Sequence, residues 1–558
     1  MVGLPPSRAP RRPTLHRTSL GIAVLVVAGL PSAALPCTSY LVTAGASADG
    51  SAFVTYSADS HTLYGQLEVI PGGVHAPGET VPIHDWDTGK YLGRIPQAPV
   101  TWHVVGHLNE HQVAIAETTF GGRKGLKDPA GVLDYGSLMR LALQRARTAR
   151  EAIEVMTSLA AEHGYASTGE SFSIADPKEA WILEMIGKGP GRKGAVWVAV
   201  RLPDGTVSAH ANMARIRRFP LRDPKNALYS PDVISFAREQ GWFQGRDEDF
   251  SFADAYYPRS FRGMRFCDSR VWRFFTRVAP SLNLPLDWVK GVPGADPLPL
   301  FVRPDRKLAL RDVMELMRDH FEGTEMDLST GVGAGPYGLP YRWRPLTWKV
   351  GDREYFHERS VSTQQTGFSF VAQMRSFMPG PVGGVLWFGV DDTWLTVYVP
   401  VHAGVREPPP AFAPGTGSFD RFSWDSAFWV FNAVSNLAYS RWSDMQRDVR
   451  DAQAALEGAF VTEAQQEDQA ALALFRQSPA LAADHLTAFS HRLAARTLDR
   501  WKGLFQELLV RYLDGNVRDA QGKVTHPPYP ETWLRRILEE RPGFFEVRKL
   551  PTEVDEDD

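Results

Sequence analysis

Cys37 is the residue of this sequence with the most distinctive chemical potential. It lies directly behind a segment that has the features of a cleavable leader, and the only other cysteine of the 558 residues is Cys267. A cysteine at a free N-terminus has its own α-amino group a few bonds from the thiol, so the amine can accept the thiol proton. Nucleophile and base would then come from one residue, once the residues before it are removed.

The first 36 residues have the composition of a secretion signal. Four arginines between positions 8 and 17 precede an uncharged run from Leu20 to Leu30, which is too short to span a bilayer of about 30 Å as a helix. Small residues at 32–34 suit a signal peptidase, and cleavage there would leave Leu35 and Pro36 before Cys37. We therefore predict an exported protein, periplasmic or extracellular, whose last processing step is either autocatalytic or made by another peptidase.

Three other interpretations of Cys37 stay open at the level of the sequence. An even number of cysteines in an exported chain permits a disulfide between Cys37 and Cys267. Cys37 could also be a buried apolar residue or carry a lipid, although Pro36 stands where a lipoprotein signal has a small residue. In the lipid case the protein would be a non-catalytic, surface-attached binding protein.

Composition limits the class of protein. The formal net charge is −3, and no basic cluster follows the leader, which argues against a nucleic-acid partner. No second long apolar run occurs, so no integral membrane span is expected after leader removal. His103, His107 and His111 are spaced for a helical zinc site, but their segment is typical of a hairpin, and we expect neither metal nor cofactor.

The patterns of the chain predict antiparallel sheets covered by helices, which is an α+β fold. Five hairpins are expected, with turns at Asp49-Gly50, Asn109-Glu110, Asp176-Pro177, Asp204-Gly205 and Asp391-Asp392. In the first hairpin, Cys37 begins one strand and Asp59 ends the other, so the two should be neighbours. A helix is expected from an Asp134 cap to Gly164, and further helical sequence from about Ser443 to Leu513.

Several ordered blocks resemble one protein family. They are CTSYLVTAGASADGSAFVTYSADSHTLYG, GHLNEHQVAIAETTFGGR, TGESFSIADPKEAWILEMIGKGPG, SAHANMARI, MRDHFEGTEMDL and GVGAGPYGLPYRWRPLTW. Together they resemble the N-terminal-nucleophile cysteine dipeptidases, the secernin and PepD-like group, which is related to penicillin V acylase and bile-salt hydrolase. The resemblance covers the chain from Cys37 to at least Tyr398.

This resemblance implies a four-layered αββα fold and hydrolysis of dipeptides through a thioester on Cys37. By position, Asp59 matches the aspartate that supports the nucleophile, and Asn212 matches the asparagine that donates to the tetrahedral oxyanion. Thr119 is the candidate for a second oxyanion donor. An amide acylase with the same nucleophile is the alternative enzyme.

One position departs from the family pattern. Relatives carry an arginine three residues before the aspartate, where this chain has Tyr56. Such an arginine would lower the pKa of the thiol. Either Tyr56 forms a hydrogen bond in place of the arginine, or another cation takes the arginine's role. Arg270 is the candidate for that cation. The competing interpretation is that Arg270 belongs to a solvated basic face with Arg265 and Arg273.

The predicted organisation has four parts: a signal peptide with a short propeptide (1–36), a hydrolase domain (37–410), an aromatic-rich and helical extension (411–515), and a partly disordered tail (516–558). The expected partners are dipeptide substrates, and a homo-oligomer stays open. Side-chain preference does not follow from these patterns.

Overall fold

Two large antiparallel sheets form the centre of the protein. The computed structural model describes residues 37–548, so the predicted leader lies outside the described residues, as does the end of the predicted tail. The strands are β1 (Ser39–Val42), β2 (Ala52–Asp59), β3 (Val69–Ile70), β4 (Gly73–Val74), β5 (Thr80–His84), β6 (Tyr91–Pro96), β7 (Val100–Thr101), β8 (Val104–Val105), β9 (Leu108–Asn109), β10 (Ala114–Gly121), β11 (Gly169–Ala175), β12 (Ala180–Gly187), β13 (Ala195–Arg201), β14 (Val207–His210), β15 (Ala227–Tyr229), β16 (Thr347–Val350), β17 (Arg353–Phe356), β18 (Thr366–Met374), β19 (Val385–Val390), β20 (Val399–His402), β21 (Val517–Arg518) and β22 (Val524–Thr525).

Helices flank these sheets. They are α1 (Tyr135–Arg145), α2 (Ala149–His163), α3 (Val233–Glu239), α4 (Phe252–Tyr256), α5 (Phe261–Gly263), α6 (Ser269–Val278), α7 (Asp287–Lys290), α8 (Leu310–Leu316), α9 (Gly380–Gly383), α10 (Ala427–Tyr439), α11 (Trp442–Gln477), α12 (Pro479–Arg511) and α13 (Glu531–Glu540). The α+β class predicted from the sequence is confirmed.

The two sheets pack against each other within residues 37–548. The first has the strand order β14-β1-β2-β18-β19-β20, and the second has the order β15-β13-β12-β11-β10-β9-β8-β3. Strands β1 and β2 contact β10 and β11 across the interface. Helices α1 and α2 contact the second sheet, while α6, α8, α10, α11 and α12 contact the first. The continuous apolar runs of the strands follow from this burial, because both faces of each sheet are covered.

The first hairpin places Cys37 beside Asp59, as predicted. Leu41 pairs with Val54, and Thr38 bridges to Ser57 farther along the same ladder. The turn uses Gly50 at φ 79°, a conformation in which a glycine is unstrained. The start of β1 therefore meets the end of β2, and Cys37 comes directly before that meeting point.

The hairpin predicted around Asp204-Gly205 is wrong. Strand β13 pairs with β12 and β15 in the second sheet, whereas β14 pairs with β1 in the first. The connecting turn docks on β1, because the Thr43 hydroxyl accepts hydrogen bonds from the amides of Gly205 and Thr206. Both strands are buried, so their apolar pattern fits either sheet equally well.

The other hairpins are present with one difference. Strands β9 and β10, β11 and β12, and β19 and β20 pair as expected. The connection between β19 and β20 is a longer loop than a turn at Asp391-Asp392, because pairing resumes only at Val399.

The single helix expected between Asp134 and Gly164 is two helices. Asp134 caps the first helix and Gly164 ends the second, as predicted. Thr148 interrupts the helix by capping α2 through the amide of Glu151. The Asn109 side chain donates to the carbonyls of Leu143 and Ala146, which satisfies the end of α1.

Long helices at the C-terminal end pack on β20. Helices α11 and α12 separate at Ser478, and Pro479 occupies the first position of α12, where its missing N–H costs nothing. Buried ion pairs join α11 to residues that follow β18 and α8. Arg375, after β18, binds Asp468 at 2.5 and 2.9 Å, and Arg318, after α8, binds Glu457 at 2.5 Å. Among residues 37–548, no helix has both the length and the apolar composition needed to cross a membrane.

The Arg375–Asp468 pair generates a stability prediction. Asp468→Ala leaves a buried guanidinium without its carboxylate, which should lower the free energy of unfolding by about 3–5 kcal/mol. The matched control is Glu463→Ala on the same helix, since Glu463 pairs with Arg496 at the surface and should cost less than about 1 kcal/mol. Urea unfolding of both variants measures the difference; equal stabilities would contradict the assignment.

Candidate active site

Cys37 lies at the inner end of a small cavity of about 70 Å³. Its side chain is 3% exposed, and its Sγ lies 3.5 Å from the Tyr56 hydroxyl and 3.6 Å from Glu117 Oε1. Asp59, Asp87 and Tyr135 are among the other residues that line the cavity. Cys37 and Cys267 are both free thiols, so the structure does not contain the disulfide considered above.

Asp59 is held in a fixed orientation at the end of β2. One carboxylate oxygen accepts hydrogen bonds from Arg359 at 2.5 Å and from Ser57 at 3.3 Å, and the other accepts from Thr366 at 2.7 Å. Burial raises the pKa of Asp59, and the positive charge of Arg359 opposes that shift. Arg359 was not found from the sequence, because it lies 300 residues away and outside any recognised block.

Arg270 binds the backbone of the nucleophile. Its guanidinium donates to the carbonyl of Cys37 at 2.6 Å and to the Thr38 hydroxyl at 2.7 Å. It follows a π-helical turn at Met264–Asp268, and burial lowers its pKa to about 10. The side chain is fully buried, so the interpretation as a solvated basic face is wrong for Arg270. Its hydrogen bonds go to main-chain carbonyls, the Thr38 hydroxyl and the Asn212 side-chain oxygen, and those to Cys37 and Thr38 position the nucleophile.

Asn212 and Thr119 are linked to the same network. The Asn212 amide donates to the carbonyl of Thr119 at 2.9 Å, and its oxygen accepts a hydrogen bond from Arg270 at 3.0 Å. Asn212 has φ 63°, a left-handed conformation that asparagine tolerates better than most residues. The structure thus brings the five predicted residues into one region. The roles of Asn212 and Thr119 as oxyanion donors stay predictions.

Two buried glutamates at the thiol were missed by sequence reasoning. Glu117 on β10 accepts a hydrogen bond from the Tyr56 hydroxyl at 2.6 Å, so Tyr56 links Glu117 to the thiol, from which its hydroxyl lies 3.5 Å away. Glu170 on β11 lies close enough to Glu117 for the two buried carboxyls to affect each other's pKa, and a hydrogen bond between them requires a proton on one of the two. Burial raises the pKa of both. The available signal was a glutamate inside each of two apolar strands, in AIAETTF and GESFSIA.

The surroundings keep the Cys37 thiol protonated. Burial is the largest cause of a pKa well above the usual thiol range, and the negative charges of Glu117 and Asp59 add to it. The hydrogen bond with Tyr56 acts in the opposite direction. A thiol in this position needs a base before it can attack a substrate.

Two of the three histidines considered for zinc have ring contacts with main chain, and the Nε2 of the third, His111, has no hydrogen-bond partner among residues 37–548. His103 Nε2 lies 2.7 Å from the carbonyl oxygen of Val405, and His107 Nδ1 lies 2.9 Å from that of Ile115. Within residues 37–548, no group of three or more histidine, cysteine, aspartate or glutamate side chains is arranged to hold a metal ion.

Comparison with known proteins identifies the family. The model of peptidase family C69 matches residues 74–455, which is more than half of the chain. The chain belongs to peptidase family C69. This C69 chain is therefore a peptidase, and the resemblance to N-terminal-nucleophile cysteine peptidases is confirmed.

The matches with curated relatives span most of this chain and most of each relative. A probable dipeptidase of Salmonella dublin is 27% identical over 67% of this chain and 83% of its own. A probable dipeptidase of Latilactobacillus sakei is 23% identical over 85% and 95%, respectively. A probable dipeptidase B of Streptococcus pyogenes serotype M1 is 21% identical over 88% and 97%.

The electrostatics of the C69 site generate a prediction about the thiol. Glu117→Gln removes a negative charge that raises the pKa of Cys37, so this pKa should fall and alkylation at a fixed alkaline pH should become faster. The pH dependence of iodoacetamide labelling at Cys37, followed by mass spectrometry, measures the shift. Glu110→Gln in the preceding turn is the control and should leave the profile unchanged. An unchanged or raised pKa in Glu117→Gln would contradict this electrostatic assignment.

Proposed function

We propose that this protein is an exported cysteine dipeptidase whose nucleophile is Cys37. The observation that carries the proposal is the position of the Cys37 thiol, at the start of β1 and inside a cavity, with Arg270 and Asp59 fixed around it. The names of the relatives supply the substrate class, since each of those proteins is described as a probable dipeptidase.

Removal of residues 1–36 activates the thiol in this proposal. The new α-amino group of Cys37 takes the thiol proton directly or through one water, and it lies near the carboxylate of Asp59, which stabilises the ammonium. This requirement agrees with a thiol that is protonated in its buried surroundings. The same chain before processing has an amide in place of the amine and is inactive.

The reaction then proceeds through two acyl transfers. The thiolate sulfur forms a bond to the scissile carbonyl carbon, and the carbonyl oxygen becomes an oxyanion to which the Asn212 amide donates. The ammonium of Cys37 returns a proton to the leaving amino group as the C–N bond breaks, which leaves a thioester. Water, deprotonated by the amine, attacks the thioester and releases the first amino acid and the thiol.

Arg270 and Thr119 act as positioning residues in this scheme. Arg270 joins the Cys37 carbonyl to the Asn212 oxygen, so nucleophile and oxyanion donor share one support. The carbonyl of Thr119 orients the Asn212 amide, and donation from Thr119 itself to the oxyanion is a further part of the proposal.

We also propose the four-layered αββα arrangement of N-terminal-nucleophile hydrolases for residues 37–410. Two sheets in contact, with α1 and α2 against one and α6 and α8 against the other, support it. The helices after residue 410 would be an addition to that domain.

An amide acylase would use the same nucleophile, and a substrate panel separates it from a dipeptidase. Dipeptides, penicillin V and conjugated bile salts should be compared on the mature chain. The lipid-anchor alternative is disfavoured by the cavity, because about 70 Å³ around a 3% exposed cysteine has no room for a diacylglyceryl group.

Maturation provides the test of the proposed function. A chain that begins at Cys37 should hydrolyse dipeptides, because its amine is free, whereas a chain that still carries Leu35 and Pro36 should be nearly inactive. Cys37→Ala, which should fold, is the control for thiol dependence. Full activity of the longer chain, activity of Cys37→Ala, or cleavage of the acylase substrates alone would refute the proposal.

The oxyanion role of Asn212 gives a kinetic prediction. Asn212→Ala in the mature chain should reduce kcat by roughly 10²- to 10³-fold, because the amide donates to charge that develops only in the transition state. Asn226→Ala is the control, since that side chain donates to Asp223 within a local turn and does not line the Cys37 cavity. A loss confined to KM would instead assign Asn212 to substrate binding.

A further inference from the structure

A second, larger cavity adjoins the Cys37 cavity. Its volume is about 320 Å³, and the two cavities share Leu63, Trp86, His107, Met139 and Phe368 in their walls. The volume lies at the lower end of the range of small-molecule sites, of roughly 300–1,000 Å³. A group that branches from a substrate bound at Cys37 can therefore enter this larger cavity.

The lining of the larger cavity suits an uncharged, apolar group. Leu67, Leu143, Leu386 and Phe388 add to the shared apolar wall. His107 is neutral near pH 7, because burial lowers its pKa to about 4. The charged residues of the lining are Glu68 and Arg140, which are exposed, and Asp85, which is half-buried.

Asp87 is the acidic group of the smaller cavity that is accessible to solvent. Its Oδ1 accepts a hydrogen bond from the Tyr135 hydroxyl at 2.7 Å. The preceding residue, Trp86, donates its amide to Asp134 Oδ2 at 2.7 Å, and Asp134 is the cap of α1. These two bonds fix the loop between β5 and β6 on the start of the helix, so the Asp87 carboxylate has a defined position.

The electrostatic surroundings of Asp87 favour a cation. Asp85 and Asp134 are close enough to raise its pKa, in addition to burial, and the cation that opposes them is Lys127. An ammonium group that enters the cavity relieves this repulsion and gains a charge-assisted hydrogen bond.

The covalent structure of a dipeptide matches this arrangement. The α-ammonium is attached to the carbon next to the scissile carbonyl, so it must lie near Cys37 when the carbonyl does. The side chain of the same residue branches from that carbon. Resting on the proposed dipeptidase function, we propose that Asp87 binds the α-ammonium of the substrate and that the 320 Å³ cavity takes the side chain of its N-terminal residue, so that large apolar residues are preferred there.

The ammonium contact is tested on the mature chain with Phe-Ala and N-acetyl-Phe-Ala. Asp87→Asn should raise KM for Phe-Ala at least tenfold, and the N-acetyl compound should be a poor substrate of the unmodified enzyme. Glu154→Gln is the control, because Glu154 is an exposed carboxylate on α2 that lines neither cavity, and its KM should stay within twofold. An unchanged KM in Asp87→Asn would overturn the role of Asp87.

The side-chain cavity is tested by the ratio of kcat/KM for Phe-Ala to that for Gly-Ala, which cancels any loss of folded enzyme. Leu143→Trp fills the cavity and should lower the ratio at least tenfold. Leu141→Ala, on the same helix but outside the cavity lining, is the control for destabilisation and should leave the ratio unchanged. A ratio unaffected by Leu143→Trp, or a native preference for Gly-Ala, would overturn the assignment.

Binding separates this inference from the proposed function. Calorimetry with a Cys37→Ala chain that begins at residue 37 should detect Phe-Ala, with affinity lost in the double variant with Asp87→Asn. This result would support the binding site even if no dipeptide were hydrolysed. Hydrolysis of dipeptides without any effect of Asp87→Asn or Leu143→Trp would leave the proposed function intact and refute the site.

Discussion

The hydrogen bond from the Arg270 guanidinium to the carbonyl of Cys37 is the constraint on which the site depends. A fully buried cation must find hydrogen-bond acceptors in the protein, and Arg270 finds them on three segments: the start of β1, the turn after β14, and the π-helical turn before α6. The same guanidinium thereby fixes the nucleophile and the oxygen of Asn212. The hydrogen bonds of this guanidinium go to backbone carbonyls, the Thr38 hydroxyl and the Asn212 oxygen.

The surroundings of the Cys37 sulfur differ from those of its carbonyl, and this difference has a chemical consequence. The groups around Sγ are a hydroxyl and two carboxyls, which together with burial keep the thiol protonated and therefore unreactive. The arrangement observed suits an enzyme in which the freed α-amine is the base that ionises the thiol.

The sequence permitted prediction of the parts of the site that are close along the chain. Cys37 and Asp59 belong to one hairpin, whose turn and strand pattern are local signals, and their proximity follows from antiparallel pairing. The family resemblance added Asn212, and the departure from the family pattern at Tyr56 led to Arg270 as the candidate for another cation. Glu117 and Glu170 were missed, because a glutamate in an apolar strand does not reveal which cavity it faces, and Arg359 was missed because only the tertiary fold brings it to Asp59.

The errors in the fold have a similar origin. The β13–turn–β14 segment has an ordinary hairpin pattern, but the pairing partners are decided by the docking of the turn on Thr43. The break between α1 and α2 depends on Thr148 and on Asn109, and the latter lies on a different element. Local propensity was correct for the type of each element in these cases, and the long-range contacts decided the pairing and the ends.

The central claim, that Cys37 carries the acyl group with its α-amine free, is tested most directly by trapping the intermediate. Mature enzyme mixed with a dipeptide is quenched in acid during turnover, and the N-terminal peptide is analysed by mass spectrometry. The account predicts an aminoacyl group on the sulfur of an otherwise unmodified N-terminal Cys37, lost on treatment with hydroxylamine. An acyl group at another residue, or a working enzyme whose Cys37 is preceded by further residues, would contradict it.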